Sequence, residues 1–153
     1  MILLKGREVS LAIKEWVAST IKALQTTYAW TPTLVTVQIG DNPASEWYIR
    51  NQIKACEDVG VAVKFEKYPE DIKQEDFLKE IEKFNCEETI DGVIIQTPLP
   101  SDWEMNTILA SISPEKDVEG VHPENLGELY LGRVESPKPC TAWAALALLE
   151  WYG

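Results

Sequence analysis

The alternation of short apolar segments with longer segments of helical period constrains the fold of this chain more than any other feature. Residues 34–39 and 90–95 are nearly all apolar, and residues 61–68 have the β-branched and aromatic content of a strand. A segment with apolar residues at helical spacing precedes or follows each of them. Strands that alternate with helices form parallel sheets with right-handed crossovers. We therefore predict an α/β fold, a three-layer sandwich whose mostly parallel sheet has three or four strands.

The helical segments begin and end at recognisable residues. Val9, Ile13, Val17, Ile21 and Leu24 lie on one stripe of the first predicted helix. A second helix ends before Gly60, and Thr141 is the predicted N-cap of the last one. Residues 114–139 lack a period and predict a long ordered loop, with one helical turn at 125–131. The predicted helices cover residues 8–26, 44–59, a third segment through 77–84, 104–111 and 142–152.

Composition excludes several classes of function. The chain has 153 residues, 45% of them hydrophobic, which suits one domain, and its net charge of -11 opposes binding to nucleic acid. Three scattered cysteines and one histidine predict neither a disulfide framework nor a metal site. The sequence has no apolar run of membrane-spanning length and no secretory leader. We expect a cytoplasmic protein that binds neither metal nor membrane.

Two loops predict where a ligand binds. Residues 40–45 and 96–100 each follow a predicted strand, and open parallel sheets bind ligands at the carboxyl ends of their strands. Ser45, Tyr48 and Gln52 are spaced by three and four residues, so their side chains share one face of the second helix. That face is predicted to meet the loop that begins at Gln96.

Four segments together resemble one family. They are GDNPAS at 40–45 with Tyr48, QTPLP at 96–100, KDVEG at 116–120 with HPENLG at 122–127, and PCT at 139–141. The set resembles the catalytic domain of bifunctional methylenetetrahydrofolate dehydrogenase/methenyltetrahydrofolate cyclohydrolase. The resemblance implies an amino-acid-dehydrogenase-like N-terminal domain, with a core at 1–138 and a shortened interdomain helix at 139–153. In the family, NADP binds to a following Rossmann domain that this sequence does not contain, so we expect no cofactor here and a tetrahydrofolate substrate.

The resemblance also assigns roles to individual residues. Tyr48 and Gln96 would orient and polarise the one-carbon bridge, and the acidic residue at position 119 would hold the pterin ring. Gln52 stands where the family has its general acid/base lysine, and an amide cannot transfer a proton at neutral pH. We therefore expect the native activity to be lost or strongly reduced. The resemblance places further substrate contacts at Ser45, Pro98, Leu99, Asp117 and Glu119.

The departures from the family pattern leave two alternatives open. In the first, the cleft was redesigned by engineering as an aromatic pocket for a small flat molecule, with Glu46 or Glu119 as its base. In the second, the apolar last helix and Trp103 form a homodimer or partner-binding surface. Cys140 and His122 belong to the family pattern, which favours a structural role over a nucleophile and base. The tryptophans of the suggested pocket are Trp47, Trp103 and Trp143.

Overall fold

A parallel sheet forms the middle layer of the molecule. The computed structural model describes residues 3–133 and 135–153, and within them the strands are β1 (Thr33–Ile39), β2 (Ala62–Tyr68) and β3 (Gly92–Ile95). Their order is β2-β1-β3, and both neighbours of β1 are parallel to it. The predicted α/β fold with a parallel sheet is confirmed. Its central strand is the first in sequence, as a doubly wound arrangement requires.

Helices flank the sheet at nearly the predicted positions. The segment predicted as a long loop contains one 3-10 turn and one complete helix rather than a single helical turn. Pro123 begins that helix, and the His122 side chain accepts a hydrogen bond from Glu124 N, a capping pattern that the sequence analysis overlooked. The helices are α1 (Gly6–Tyr28), α2 (Pro43–Glu57), α3 (Gln74–Cys86), α4 (Met105–Leu109), α5 (Pro123–Tyr130) and α6 (Cys140–Tyr152), and the 3-10 turn is Pro114–Lys116.

The two faces of β1 carry different side chains. Val35, Val37 and Ile39 enter the main core together with α3 and α4, whereas Thr36 on the other face bonds to α2. Ring contacts close the edge of the main core, where Phe77 lies between Tyr68 and Trp103. The buried members of this core are Val35, Val37, Ile39, Phe77, Ile81, Phe84, Ile90, Val93, Ile95, Ile108 and Ile112.

The predicted N-cap of the last helix is wrong. α6 begins at Cys140, two residues before its predicted first residue, and its N-cap residue is Pro139, which makes no side-chain capping bond. The backbone N–H of Cys140 donates to the carbonyl oxygen of Glu119 at 3.1 Å. A tertiary contact, rather than a side-chain cap, therefore fixes where this helix starts.

Membrane insertion by a helix finds no support in the fold. In the described part of the chain, none of the helices combines the length and apolar character that crossing a bilayer requires.

Gly120, in the loop after the 3-10 turn, lies against the backbone just before α6. Its φ is +67°, and a Cβ atom there would overlap the backbone carbonyl group of Lys138. We expect Gly120→Ala to lower the free energy of unfolding by about 3 kcal/mol, because the left-handed conformation costs roughly 1–2 kcal/mol and the overlap adds to it. Urea denaturation measures the change.

Gly132→Ala is the matched control for this substitution. Gly132 also has a positive φ, of +78°, but a Cβ atom there would meet no atom of the described residues within 4 Å. Its loss is expected to stay near 1 kcal/mol, the conformational cost alone. Equal losses in the two variants would contradict the close approach at Gly120.

Candidate functional site

A cleft lies at the carboxyl end of β3, between α2, α4 and the loop that follows the 3-10 turn. Its volume is about 220 Å3. Its walls combine an apolar floor with a small number of polar side chains, as ligand sites generally do. The lining residues are Tyr48, Ile94, Ile95, Gln96, Thr97, Met105, Leu109, Glu119 and Val121.

The start of α2 positions Tyr48 at this cleft. The Asn42 side chain accepts hydrogen bonds from Ala44 N at 3.0 Å and Ser45 N at 3.2 Å, which caps the helix. Ser45 Oγ then donates to the carbonyl oxygen of Thr97 at 3.1 Å and ties α2 to the loop after β3. Tyr48 remains 54% exposed, one turn along the helix. Ser45 itself is buried, so its observed role is to join the two loops.

Gln96 stands where β3 leaves the sheet. Its backbone N–H donates to Val37 O at 2.8 Å, which anchors the residue beside the central strand. Its side-chain Nε2 donates to Thr97 O at 3.3 Å, within its own loop. The side chain is half-buried and borders the same cleft as Tyr48. The structure thus brings together these two residues, which the sequence placed on separate elements.

Asp117 organises the loop that carries Glu119. One carboxylate oxygen accepts from Glu119 N at 3.2 Å and Gly120 N at 3.0 Å. The other accepts from His122 N and Asn125 Nδ2, both at 2.9 Å. Asp117 is only 2% exposed. It therefore acts on any ligand through the loop that it shapes, and a direct contact stays a prediction.

Glu119 brings a carboxyl group to the cleft wall. Burial raises its pKa above the ordinary value, and the nearby negative charge of Asp117 raises the pKa further. A carboxyl group with a raised pKa accepts or donates a proton closer to neutral pH than an exposed glutamate does. Glu119 is the titratable cleft residue best suited to proton transfer among those that the structure describes.

Gln52 lies deeper along α2, one turn beyond Tyr48. Its Oε1 accepts a hydrogen bond from the hydroxyl of Thr36 at 3.1 Å, and Thr36 pairs across the sheet with Ile94 of the cleft floor. Thr36 is not among the predicted site residues, because threonine is common in strands. Its polarity inside an otherwise apolar strand was the signal that could have identified it.

The residues suggested for an aromatic pocket do not share a cavity in the described part of the chain. Trp47 is 65% exposed on α2. Trp103 packs on Phe77 with ring centroids 5.2 Å apart, and Trp143 on α6 lies under the ammonium group of Lys138. Glu46 is 2.9 Å from Lys67, which also contacts Asp41. These side chains lie on separate surfaces.

Pro98 and Leu99 border a second cleft next to the first. This cleft, of about 420 Å3, lies between the loop after β1 and the loop after β3. Asp41, Asn42 and Glu70 line its other side. The loop that begins at Gln96 therefore separates two concave surfaces, and Ser45 anchors it from behind.

Cys140 and His122 make no contact of the kind a nucleophile and base require. Cys140 Sγ donates to Val118 O at 3.4 Å, whereas the His122 ring bonds to the backbone groups of Glu124 and Ala110. Burial raises the pKa of the Cys140 thiol, and the charges of Glu119 and Asp117 add to the effect. The expected structural role fits these contacts.

Comparisons with known proteins agree on one group of relatives. A family model described as "Tetrahydrofolate dehydrogenase/cyclohydrolase, catalytic domain" matches residues 4–119. The bifunctional protein FolD of Aquifex aeolicus is 37% identical over 152 residues, which are 99% of this chain and 52% of that protein. The chain thus spans about half the length of the curated relatives it matches.

Solved structures give the same result. The bifunctional FolD methylenetetrahydrofolate dehydrogenase/cyclohydrolase of Campylobacter jejuni matches with a TM-score of 0.96 and 36% identity, over 99% of this chain and 54% of that one. The dehydrogenase-cyclohydrolase of Trypanosoma brucei, solved with NADP and an inhibitor, matches with a TM-score of 0.93 and 30% identity, over 99% of this chain and 52% of that one.

The environment of Glu119 predicts a pH-dependent cost in stability. Its pKa is higher in the folded than in the unfolded chain, so the folded state binds more protons between the two values. The stability that protonated Glu119 contributes is therefore fully present below its pKa in the unfolded chain. It is lost as the pH rises through its pKa in the folded chain. We expect Glu119→Gln to melt on the order of 2–4 °C higher than the unsubstituted protein at pH 7, with the difference vanishing near pH 4.

Thermal unfolding between pH 4 and pH 8 measures this difference. Glu46→Gln is the control, because Glu46 forms an exposed ion pair with Lys67 and its loss should change stability little, in the destabilising direction. A Glu119→Gln variant that melts below the unsubstituted protein at pH 7 would contradict the assigned environment.

Proposed function

Because this chain belongs to the tetrahydrofolate dehydrogenase/cyclohydrolase catalytic-domain family, we propose that its cleft binds a tetrahydrofolate that carries a one-carbon group. We further propose that it hydrolyses the methenyl form slowly or not at all. The observation that carries the proposal is the convergence of Tyr48, Gln96 and Glu119 on one cleft. These are the positions to which the family resemblance assigns substrate contacts.

Each side chain has a chemical task in this proposal. The Tyr48 hydroxyl and the Gln96 amide supply hydrogen bonds that orient the one-carbon bridge. Glu119 accepts hydrogen bonds from the N–H groups of the pterin ring, and Asp117 holds its loop in place. The apolar residues Ile94 and Leu109 contact the flat faces of the ligand. The site thereby combines orientation with exclusion of water.

Gln52 limits the chemistry of this cleft. Hydrolysis requires a group that moves a proton during attack by water, and a positioned acid or base contributes roughly 10²–10⁴-fold to such a step. The amide of Gln52 supplies hydrogen bonds but neither a proton nor a charge. Its oxygen is also occupied by Thr36. This site is therefore expected to keep ligand binding but to lose most of its turnover.

Dinucleotide binding does not fit the described residues. A pyrophosphate group needs the free N–H groups of a helix that begins at a glycine-rich turn. At the start of α2, those N–H groups donate to Asn42, and Pro43 has none. The carboxylates of Asp41 and Glu46 also lie at this end of the helix and would repel an anion. We propose that this domain holds no NADP of its own.

A second candidate function is proton abstraction from a small aromatic ligand. The raised pKa of Glu119 favours it as the base over Glu46, whose carboxylate is paired with Lys67. The separation of Trp47, Trp103 and Trp143 removes the aromatic walls that this function would need. Folate binding is therefore the stronger proposal.

Restoring the amine at position 52 tests the proposed loss of turnover. We expect Gln52→Lys to raise the rate of methenyltetrahydrofolate hydrolysis on the order of 100-fold, because the new ammonium group can transfer a proton. The rate is measured from the change in absorbance of methenyltetrahydrofolate over time. Gln52→Met, which has similar length but no proton to transfer, is the control and should not show the increase. Rapid hydrolysis by the unsubstituted chain would refute the proposal.

We also propose that the chain self-associates through α6. This helix has no buried residue and exposes Trp143, Leu146, Leu149 and Trp151. Contiguous apolar surface of this kind is commonly an interface. Its contact with α1 includes the bond from the Tyr152 hydroxyl to Glu8, and it leaves the outer side open.

Light scattering over a range of concentrations tests the dimer. We expect the double variant Leu146→Glu, Leu149→Glu to be monomeric where the unsubstituted chain is dimeric, because burying two carboxylates costs several kcal/mol per group. Leu131→Glu, an exposed leucine outside α6, should leave the dimer intact. A monomer at every concentration of the unsubstituted chain would end this proposal.

A further inference from the structure

The central strand carries a buried hydroxyl that the family resemblance does not account for. Thr36 is 0% exposed, and its Oγ1 donates to Gln52 Oε1 at 3.1 Å. A hydroxyl removed from water is costly unless its hydrogen reaches an acceptor. Gln52 Oε1 is the acceptor that the described residues provide. The buried environment therefore determines which end of the Gln52 amide faces the strand.

The orientation of this amide determines what it offers to a ligand. A carboxamide has one acceptor and one donor end. With its oxygen directed at Thr36, Gln52 has its Nε2 group, with two N–H donors, left for other partners. If the amide were reversed, the Thr36 hydroxyl hydrogen would lose the acceptor that Gln52 Oε1 provides. The strand thus selects the donor end by the cost of an unsatisfied hydroxyl.

The same pair lies beside the cleft. Thr36 is opposite Ile94 in the parallel register of β1 and β3, and Ile94 forms part of the cleft floor. Gln52 is four residues after Tyr48 on α2, so both side chains project from the same face of that helix. Gln52 is half-buried, so part of its side chain remains accessible.

We propose that Thr36 is a positioning residue that fixes Gln52 as a hydrogen-bond donor toward the cleft ligand. The ligand atom that it meets is an acceptor, a carbonyl oxygen or a ring nitrogen of the pterin. The identity of the ligand rests on the proposed function, whereas the orientation of the amide does not. In this arrangement Gln52 offers two N–H donors where an ammonium group would offer three, and it lacks the proton transfer and the positive charge of that group.

A double-mutant cycle with a non-reacting folate tests the proposal. The probe is 5-formyltetrahydrofolate, titrated against tryptophan fluorescence. Thr36→Val removes the hydroxyl at nearly constant volume and should weaken binding about three- to tenfold, the range of one neutral hydrogen bond. Thr36→Ser keeps the hydroxyl and should bind within about twofold of the unsubstituted chain. In a Gln52→Met background, Thr36→Val should have no further effect.

Two outcomes would overturn the positioning role. One is a Thr36→Val variant that binds the probe as tightly as the unsubstituted chain. The other is equal weakening in the presence and absence of Gln52, which would mean that Thr36 acts through packing. Urea denaturation of each variant identifies any general loss of folding.

A second measurement separates this inference from the proposed function. The side-chain N–H signals of Gln52 in NMR spectra, assigned by their loss in Gln52→Met, report its orientation without any ligand. They should shift in Thr36→Val and return in Thr36→Ser. Unchanged signals would refute the hydrogen bond. If the signals shift but the unsubstituted chain does not bind the probe, the proposed folate function falls and the Thr36–Gln52 pairing stands.

Discussion

The burial of β1 between two helical layers is the constraint on which the rest of this structure depends. Each side chain of a central strand must pack into one of the two layers that cover the sheet, because neither face reaches solvent. Val35, Val37 and Ile39 meet the apolar core on one side. On the other side, Thr36 bonds to Gln52 of α2, and Gln38 donates its Nε2 to the carbonyl oxygen of Gly40, whereas the buried Gln38 Oε1 has no partner among the described residues. The polar face of the strand leads directly to the carboxyl edge where the cleft lies.

The cleft is assembled by hydrogen bonds to the backbone rather than by contacts among its polar side chains. Ser45 holds the loop after β3, and Asp117 holds the loop that presents Glu119. Such supporting groups fix the geometry of the groups that meet a ligand before the ligand arrives. The arrangement also brings two carboxyl groups close together. Asp117 is compensated by four donors, and the electrostatic cost falls on the neighbouring Glu119.

The fold was predictable to a large extent because its signals are local. Apolar strands, helical stripes and terminating glycines determine secondary structure over short distances, and alternation of strand and helix leaves few topologies. The predicted helix boundaries were wrong where a contact between residues far apart in sequence determines the local structure. α6 begins at Cys140 because that residue bonds to Glu119, which no capping pattern reveals. The helix at Pro123–Tyr130 was taken for a single turn, because a short helix with one proline and one glycine has little periodicity.

The sequence by itself determined the parallel α/β architecture, the edge of the sheet where the cleft lies, and the absence of an amine at position 52. These follow from residue types and from spacing along one element. Only the tertiary structure decided which side chains meet. It joined Tyr48, Gln96 and Glu119 in one cleft, separated the tryptophans onto different surfaces, and paired Gln52 with Thr36. The physical reason is that such contacts depend on how three loops pack across the edge of the sheet, and the need to satisfy buried polar groups selects that packing.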